Sequence, residues 1–134
     1  MSNPLENKKL CDSLSYEEFD KLVQKYPWGS LEHEHACARL SATQFNECVK
    51  KNPGAALIYR HACAQLTVEQ FDYCVKKDTD AALRFKHAFA RLPQDAITFD
   101  NYVKKWPWQA LEYEHIESRL NPYQKSWLEK QNHE

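Results

Sequence analysis

A unit of about 26 residues recurs along the chain, and this periodicity limits the fold more than any other feature. Leu14-Ser15-Tyr16-Glu17-Glu18-Phe19 aligns with Leu40-Ser41-Ala42-Thr43-Gln44-Phe45 and with Leu66-Thr67-Val68-Glu69-Gln70-Phe71, each step being 26 residues. A fourth copy begins at Leu92 and carries two extra residues around Pro93-Gln94 before Phe99 restores the register. Val23, Val49, Val75 and Val103 follow each phenylalanine by four residues, and Leu31, Leu57, Leu83 and Leu111 follow it by twelve.

Each unit opens with a helix. Its apolar positions lie at i−3, i, i+3 and i+4 about the phenylalanine, as Val68, Phe71, Cys74 and Val75 show, which is a stripe on one face of a 3.6-residue period. Ser15 with Glu18, Ser41 with Gln44 and Thr67 with Gln70 spell capping boxes, and Asp95 holds the equivalent cap in the fourth copy. The helix ends in lysines, at Lys25, Lys51, Lys77 and Lys105, where the helix dipole favours cations. Pro27, Pro53 and Pro107 then mark a hinge into a second helix, which runs on toward Leu40, Leu66, Leu92 or Leu120. That helix carries small residues, Ala36-Cys37-Ala38, Ala62-Cys63-Ala64 and Ala88-Phe89-Ala90, which let helix axes approach closely.

The expected fold is therefore all-α, an α-solenoid of about four helix-turn-helix repeats of 26–28 residues with half-repeat helical caps at both ends. Residues 1–134 form one domain in this reading, with a cap at 3–13, repeats at 14–39, 40–65, 66–91 and 92–119, and a C-terminal cap helix at 121–131. Asn3-Pro4-Leu5-Glu6 and Asn121-Pro122-Tyr123-Gln124 are the start signals of the two caps. About ten short helices are expected in total.

The unit resembles short bacterial and phage helical-hairpin repeats of the DUF4116-like kind, on Phe45, Val49, Asn52, Pro53, Ala56 and Leu57, over about residues 14 to 120. The resemblance implies a helical repeat and carries no activity with it.

Composition narrows the function. There is no apolar run near the ~20 residues of a membrane span, and Met1-Ser2-Asn3-Pro4 lacks the charged start and apolar stretch of a secretory signal, so a cytoplasmic protein is expected (host cytoplasm if phage-encoded). Five cysteines without a C-x-x-C pair read as small apolar core residues and not as a disulfide framework or zinc knuckle. A net charge of −1 provides no global attraction to nucleic acid.

The histidines His35, His61, His87 and His115 occupy the same place in every unit. On adjacent repeats they are too far apart to share a zinc ion, whose nitrogen ligands lie at about 2.0–2.1 Å, so each is expected to be part-buried and bonded to a neighbouring turn. His33 adds nothing to His35, because residues at i and i+2 of a helix point apart. No phosphate loop, nucleophile elbow or zinc-protease motif is present, and neither an enzyme nor a cofactor or metal is expected.

The units differ from one another at their turns. Tyr26, Trp28 and Glu32 in the first unit match Trp106, Trp108 and Glu112 in the fourth, whereas the inner units carry Arg60, Arg84 and Lys86 nearby. Those nine residues are the expected contacts to another protein or protein complex, since tryptophan is favoured at interface hot spots. A small inhibitor or adaptor that docks on a larger complex, for instance a phage-encoded anti-defence or anti-CRISPR protein, is one form of such a module. The alternative is a nucleic-acid-binding repeat that uses the columns Arg39, Arg91 and Arg119 with Lys51, Lys77 and Lys105.

Overall fold

In a computed structural model that describes residues 3–132 and every side chain among them except that of Asn132, all regular structure is helical. Met1 and Ser2, on which the reading of the N-terminus partly rested, lie outside the described residues. The chain divides into two units, Met1–Ala81 and Ala82–Glu134.

In the first unit a 3-10 turn at Pro4–Glu6 leads into α1 (Lys8–Ser13), so the N-terminal cap is two short pieces and not one helix. Then come α2 (Tyr16–Lys25), α3 (Pro27–Glu32), α4 (Glu34–Arg39), α5 (Ala42–Lys51), α6 (Pro53–Ile58), α7 (Arg60–Gln65) and α8 (Val68–Lys77). Helix α9 (Thr79–Arg84) spans the boundary. The second unit continues with α10 (Lys86–Phe89), α11 (Ala96–Lys105), α12 (Pro107–Glu112), α13 (Glu114–Glu117) and α14 (Pro122–Asn132).

The start signals work as written. In all three capping boxes the hydroxyl of Ser15, Ser41 or Thr67 accepts from the backbone of the third helical residue, and the side chain of that residue accepts from the cap N–H. Asn121 and Gln124 make the same reciprocal pair at 2.9 and 2.8 Å. Pro27, Pro53 and Pro107 stand at the first position of α3, α6 and α12. Thr79 replaces proline in the third copy and donates its hydroxyl to Val75 O at 2.7 Å. The turn residues Tyr26, Asn52, Asp78 and Trp106 share one backbone conformation, φ −127 to −144° and ψ 65 to 73°, despite their different chemistry.

The second helix of each repeat departs from the expected continuous rod. It breaks at His33, Tyr59, Phe85 and Tyr113, all extended with φ near −90° and ψ of 112–118°, so that each repeat is a long helix followed by two short ones. Burial explains the break. Leu31, Ala36 and Cys37 are all buried, but on an unbroken helix Ala36 would stand about 140° around the axis from Leu31, and the exposed Glu34 would share the leucine's face. One extended residue turns the chain so that both short helices direct small or apolar side chains inward.

Val68 is also corrected. At the first position of α8 it is 73% exposed, as its counterpart Tyr16 is at 65%, because the first turn projects past the packed part of the helix. The buried stripe is made by Phe19 and Val23, by Phe45, Cys48 and Val49, and by Phe71 and Cys74. In the first unit α2 packs on α5 and α5 on α8, while α3 packs on α6 and α4 on α7, so consecutive repeats stack like on like. In the second unit α12 packs against α11, α13 and α14, and α14 contributes the fully buried Leu128.

Candidate functional site

The recurring polar columns are turned inward and join one repeat to the next. A helix that stops early leaves carbonyls without an i+4 partner. His61 Nε2 lies 2.6 Å from Leu31 O at the end of α3, His35 Nε2 lies 2.5 Å from Leu5 O at the end of the 3-10 turn, and His115 Nε2 lies 2.5 Å from Leu83 O. A carbonyl only accepts, so each imidazole carries its proton on Nε2 and donates it. The break that creates the orphan carbonyl also creates the histidine's support. Because the residue two before each histidine is extended and not helical, its ring lies alongside the imidazole: His33 on His35 at 5.8 Å and 20°, Tyr59 on His61 at 6.1 Å and 20°, Phe85 beside His87 at 6.0 Å and 35°, and Tyr113 on His115 at 6.1 Å and 3°. The expectation that His33 and His35 point apart is therefore corrected, since they do not share a helix.

A second column consists of amides that the sequence reading used only as caps. Gln44 donates to Asp20 Oδ1 at 2.8 Å, Gln70 to Asn46 Oδ1 at 3.1 Å and Gln124 to Asp100 Oδ1 at 3.1 Å. Each glutamine thus closes its own helix through Oε1 and reaches the preceding long helix through Nε2. The signal was in the sequence: the first unit has Glu18 at this position, the second, the third and the C-terminal cap have glutamine, and the fourth has Thr98.

The five cysteines are all buried. Burial pushes the thiols of Cys11, Cys37, Cys48 and Cys74 up, Cys37 and Cys48 to about 11 and Cys74 to about 12, so that these stay protonated and behave as small apolar groups.

Among the residues expected to bind nucleic acid, Arg39 is half-buried and donates to Cys11 O at 2.5 Å and Leu14 O at 2.6 Å, with its guanidinium 4.4 Å above the Phe19 ring. Arg91 is exposed. Arg119 is exposed, bonded to Gln94, and packed over Phe99 at 4.4 Å. Lys51, Lys77 and Lys105 are exposed at helix ends, Lys77 lying over Tyr73 and Lys105 over Trp106.

The residues expected to meet a protein partner are mostly on the surface. Glu32, Arg60, Arg84, Lys86 and Glu112 are exposed around the helix breaks, and Tyr26 and Trp106 are half-buried in the turns. The two outer tryptophans differ. Trp28 is 43% exposed but is held by its indole N–H, which donates to Tyr59 Oη at 3.1 Å in an edge-on pair. Trp108 is 56% exposed, and its indole N–H has no acceptor among the described residues. In the second copy Gly54 stands where the tryptophan would be, and a Cβ there would come 2.5 Å from Asp78 Oδ2, so that any larger residue would require the carboxylate to shift. With recurring side chains committed to the scaffold, the exposed and variable turn and break residues are the ones left for recognition.

No protein-family model matches the chain, and neither a curated protein nor a solved structure does.

Among the described residues no helix is long and apolar enough to cross a membrane.

Proposed function

We propose that this chain is a non-enzymatic, cytoplasmic protein-binding module, a small inhibitor or adaptor that docks on a larger complex. The observation that carries this reading is the division of labour among side chains. His35, His61, His115, Gln44, Gln70, Gln124 and Arg39 are spent inside the fold, whereas Trp108 and the charged residues around the breaks are exposed. An exposed indole with a free N–H is the kind of anchor that dominates binding energy at protein interfaces. Support for the nucleic-acid alternative is reduced at Arg39, whose guanidinium faces two carbonyls and a phenyl ring.

The test is affinity capture from lysate with wild-type protein, Trp108→Ala and Trp28→Ala. Trp108→Ala is expected to lose most of the captured partner while its unfolding midpoint stays within experimental error, and Trp28→Ala to lose stability as well. Capture unchanged in both variants sinks the proposal. So does tight, steeply salt-dependent binding of an oligonucleotide that Arg119→Ala abolishes.

A further inference from the structure

The two-residue insertion in the fourth copy changes what its arginine does. In the first repeat Arg39 caps Cys11 O and Leu14 O. The equivalent carbonyls before the fourth repeat are Phe89 O and Leu92 O, and both accept from Gln94 Nε2, at 3.0 and 2.6 Å. Gln94 is itself part of the insertion. It takes over the capping and leaves Arg119, the counterpart of Arg39, to move outward, where it bonds to the Gln94 side-chain and backbone oxygens. The guanidinium lies over Phe99 at 4.4 Å and near Phe89 at 5.5 Å, so its plane is fixed while it remains exposed.

Beside it opens a groove of about 480 Å³ lined by Lys86, Glu114, His115, Ser118 and Arg119. Lys86, from α10, is exposed and makes no ion pair among the described residues. We infer that this groove is an anion site that receives an Asp or Glu side chain of the protein partner, anchored by Arg119 and Lys86. The inference rests on the protein-binding reading and specifies the chemistry of one contact.

Three features favour a single carboxylate. A guanidinium has five N–H donors and Gln94 engages two, which leaves three, enough for a planar two-oxygen acceptor. Because Arg119 is already oriented by Gln94 and the two rings, little side-chain freedom is lost on binding. Glu114 lines the groove and Glu112 and Glu117 are also exposed, so the two cations face one acid within the groove, and a polyanion would meet more repulsion than a single carboxylate. Sequence reading placed Lys86 and Arg119 in rival sites, one for protein and one for nucleic acid. The fold puts them in the same groove.

The experiment is an NMR titration of the full chain with a short Glu/Ser peptide, its Gln/Ser analogue, inorganic phosphate and a single-stranded oligonucleotide, following the Arg119 Nε–H and Ser118 amide signals. The Glu/Ser peptide should shift both signals saturably and the Gln/Ser peptide should not. Lys86→Gln should weaken binding about tenfold, the loss expected for one charge-assisted contact. Gln94→Ala removes no charge, yet it should weaken binding because Arg119 is free to turn back to Phe89 O and Leu92 O; Lys86→Gln, on an exposed side chain, keeps the test valid if that variant folds poorly. The inference is overturned if the Glu/Ser peptide produces no saturable shift, if Lys86→Gln binds it equally well, or if phosphate or the oligonucleotide displaces it at lower concentration. Capture of a lysate partner that depends on Trp108 but ignores Lys86→Gln would reject this groove and leave the proposed function standing.

Discussion

A single imidazole nitrogen links the repeats. His61 donates to Leu31 O across 30 residues, and Tyr59 stacks on its ring, so His61→Ala leaves a part-buried carbonyl without a donor. The expected loss is about 1–3 kcal/mol, read from urea unfolding, against a few tenths for a surface change. A thermodynamically silent His61→Ala would show that the bond does not support the fold. The cysteines give a pH prediction with a definite sign. Cys37, Cys48 and Cys74 are raised from 9.0 to about 11, 11 and 12, so between pH 9 and about 11 the unfolded chain holds fewer protons than the folded one. Stability is therefore fully present below pH 9 and is lost as pH climbs toward 11. Thermal melts should show this fall, with a shallower slope for Cys74→Ala, and a thiol reagent at pH 8 should label the native protein far more slowly than the denatured one. At this scale the identity of the recurring residues was legible as apolar core or polar column, but the atom each polar group bonds to was not.

The long helices were legible because their signals are local. Capping boxes, lysine ends and prolines act within one turn, and they appear where the spacing predicts them. The break in the second helix escaped a reading by period alone, although the spacing from Leu31 to Ala36-Cys37 is wrong for one face of a rod. The amide bridge between long helices yields a paired prediction. Gln44→Glu keeps the cap oxygen but sets a carboxylate against Asp20 and should cost roughly 1 kcal/mol or more. Gln70→Glu faces Asn46, whose amide can rotate to donate, and should be nearly neutral. Equal effects in urea unfolding would show that the inter-helix bond contributes nothing.

Over the whole molecule, function is sought where the repeats differ. The stacked repeats of Met1–Ala81 and the α11–α14 packing of Ala82–Glu134 each bury an apolar core, and what remains outside is varied, mostly polar or charged with some large apolar side chains such as Val68 and Ile97. The prediction at this scale is that Trp108→Ala and Lys86→Gln reduce partner capture without shifting the unfolding midpoint, whereas His61→Ala shifts the midpoint first. Trp28 belongs to both groups, because its indole N–H holds Tyr59 while part of its ring stays exposed.

The sequence by itself determined an all-helical chain, the repeat, its caps and hinges, and the positions at which the copies diverge, because all of these follow from short-range propensity and periodicity. Only the tertiary structure decided which carbonyl each histidine satisfies, that Gln94 displaces Arg119 from the capping role of Arg39, and that Lys86 and Arg119 share a groove. The histidine and arginine bonds join groups 25 to 32 residues apart, and although Gln94 reaches carbonyls only two and five residues away, its displacement of Arg119 depends on the distant arginine, which nothing local records.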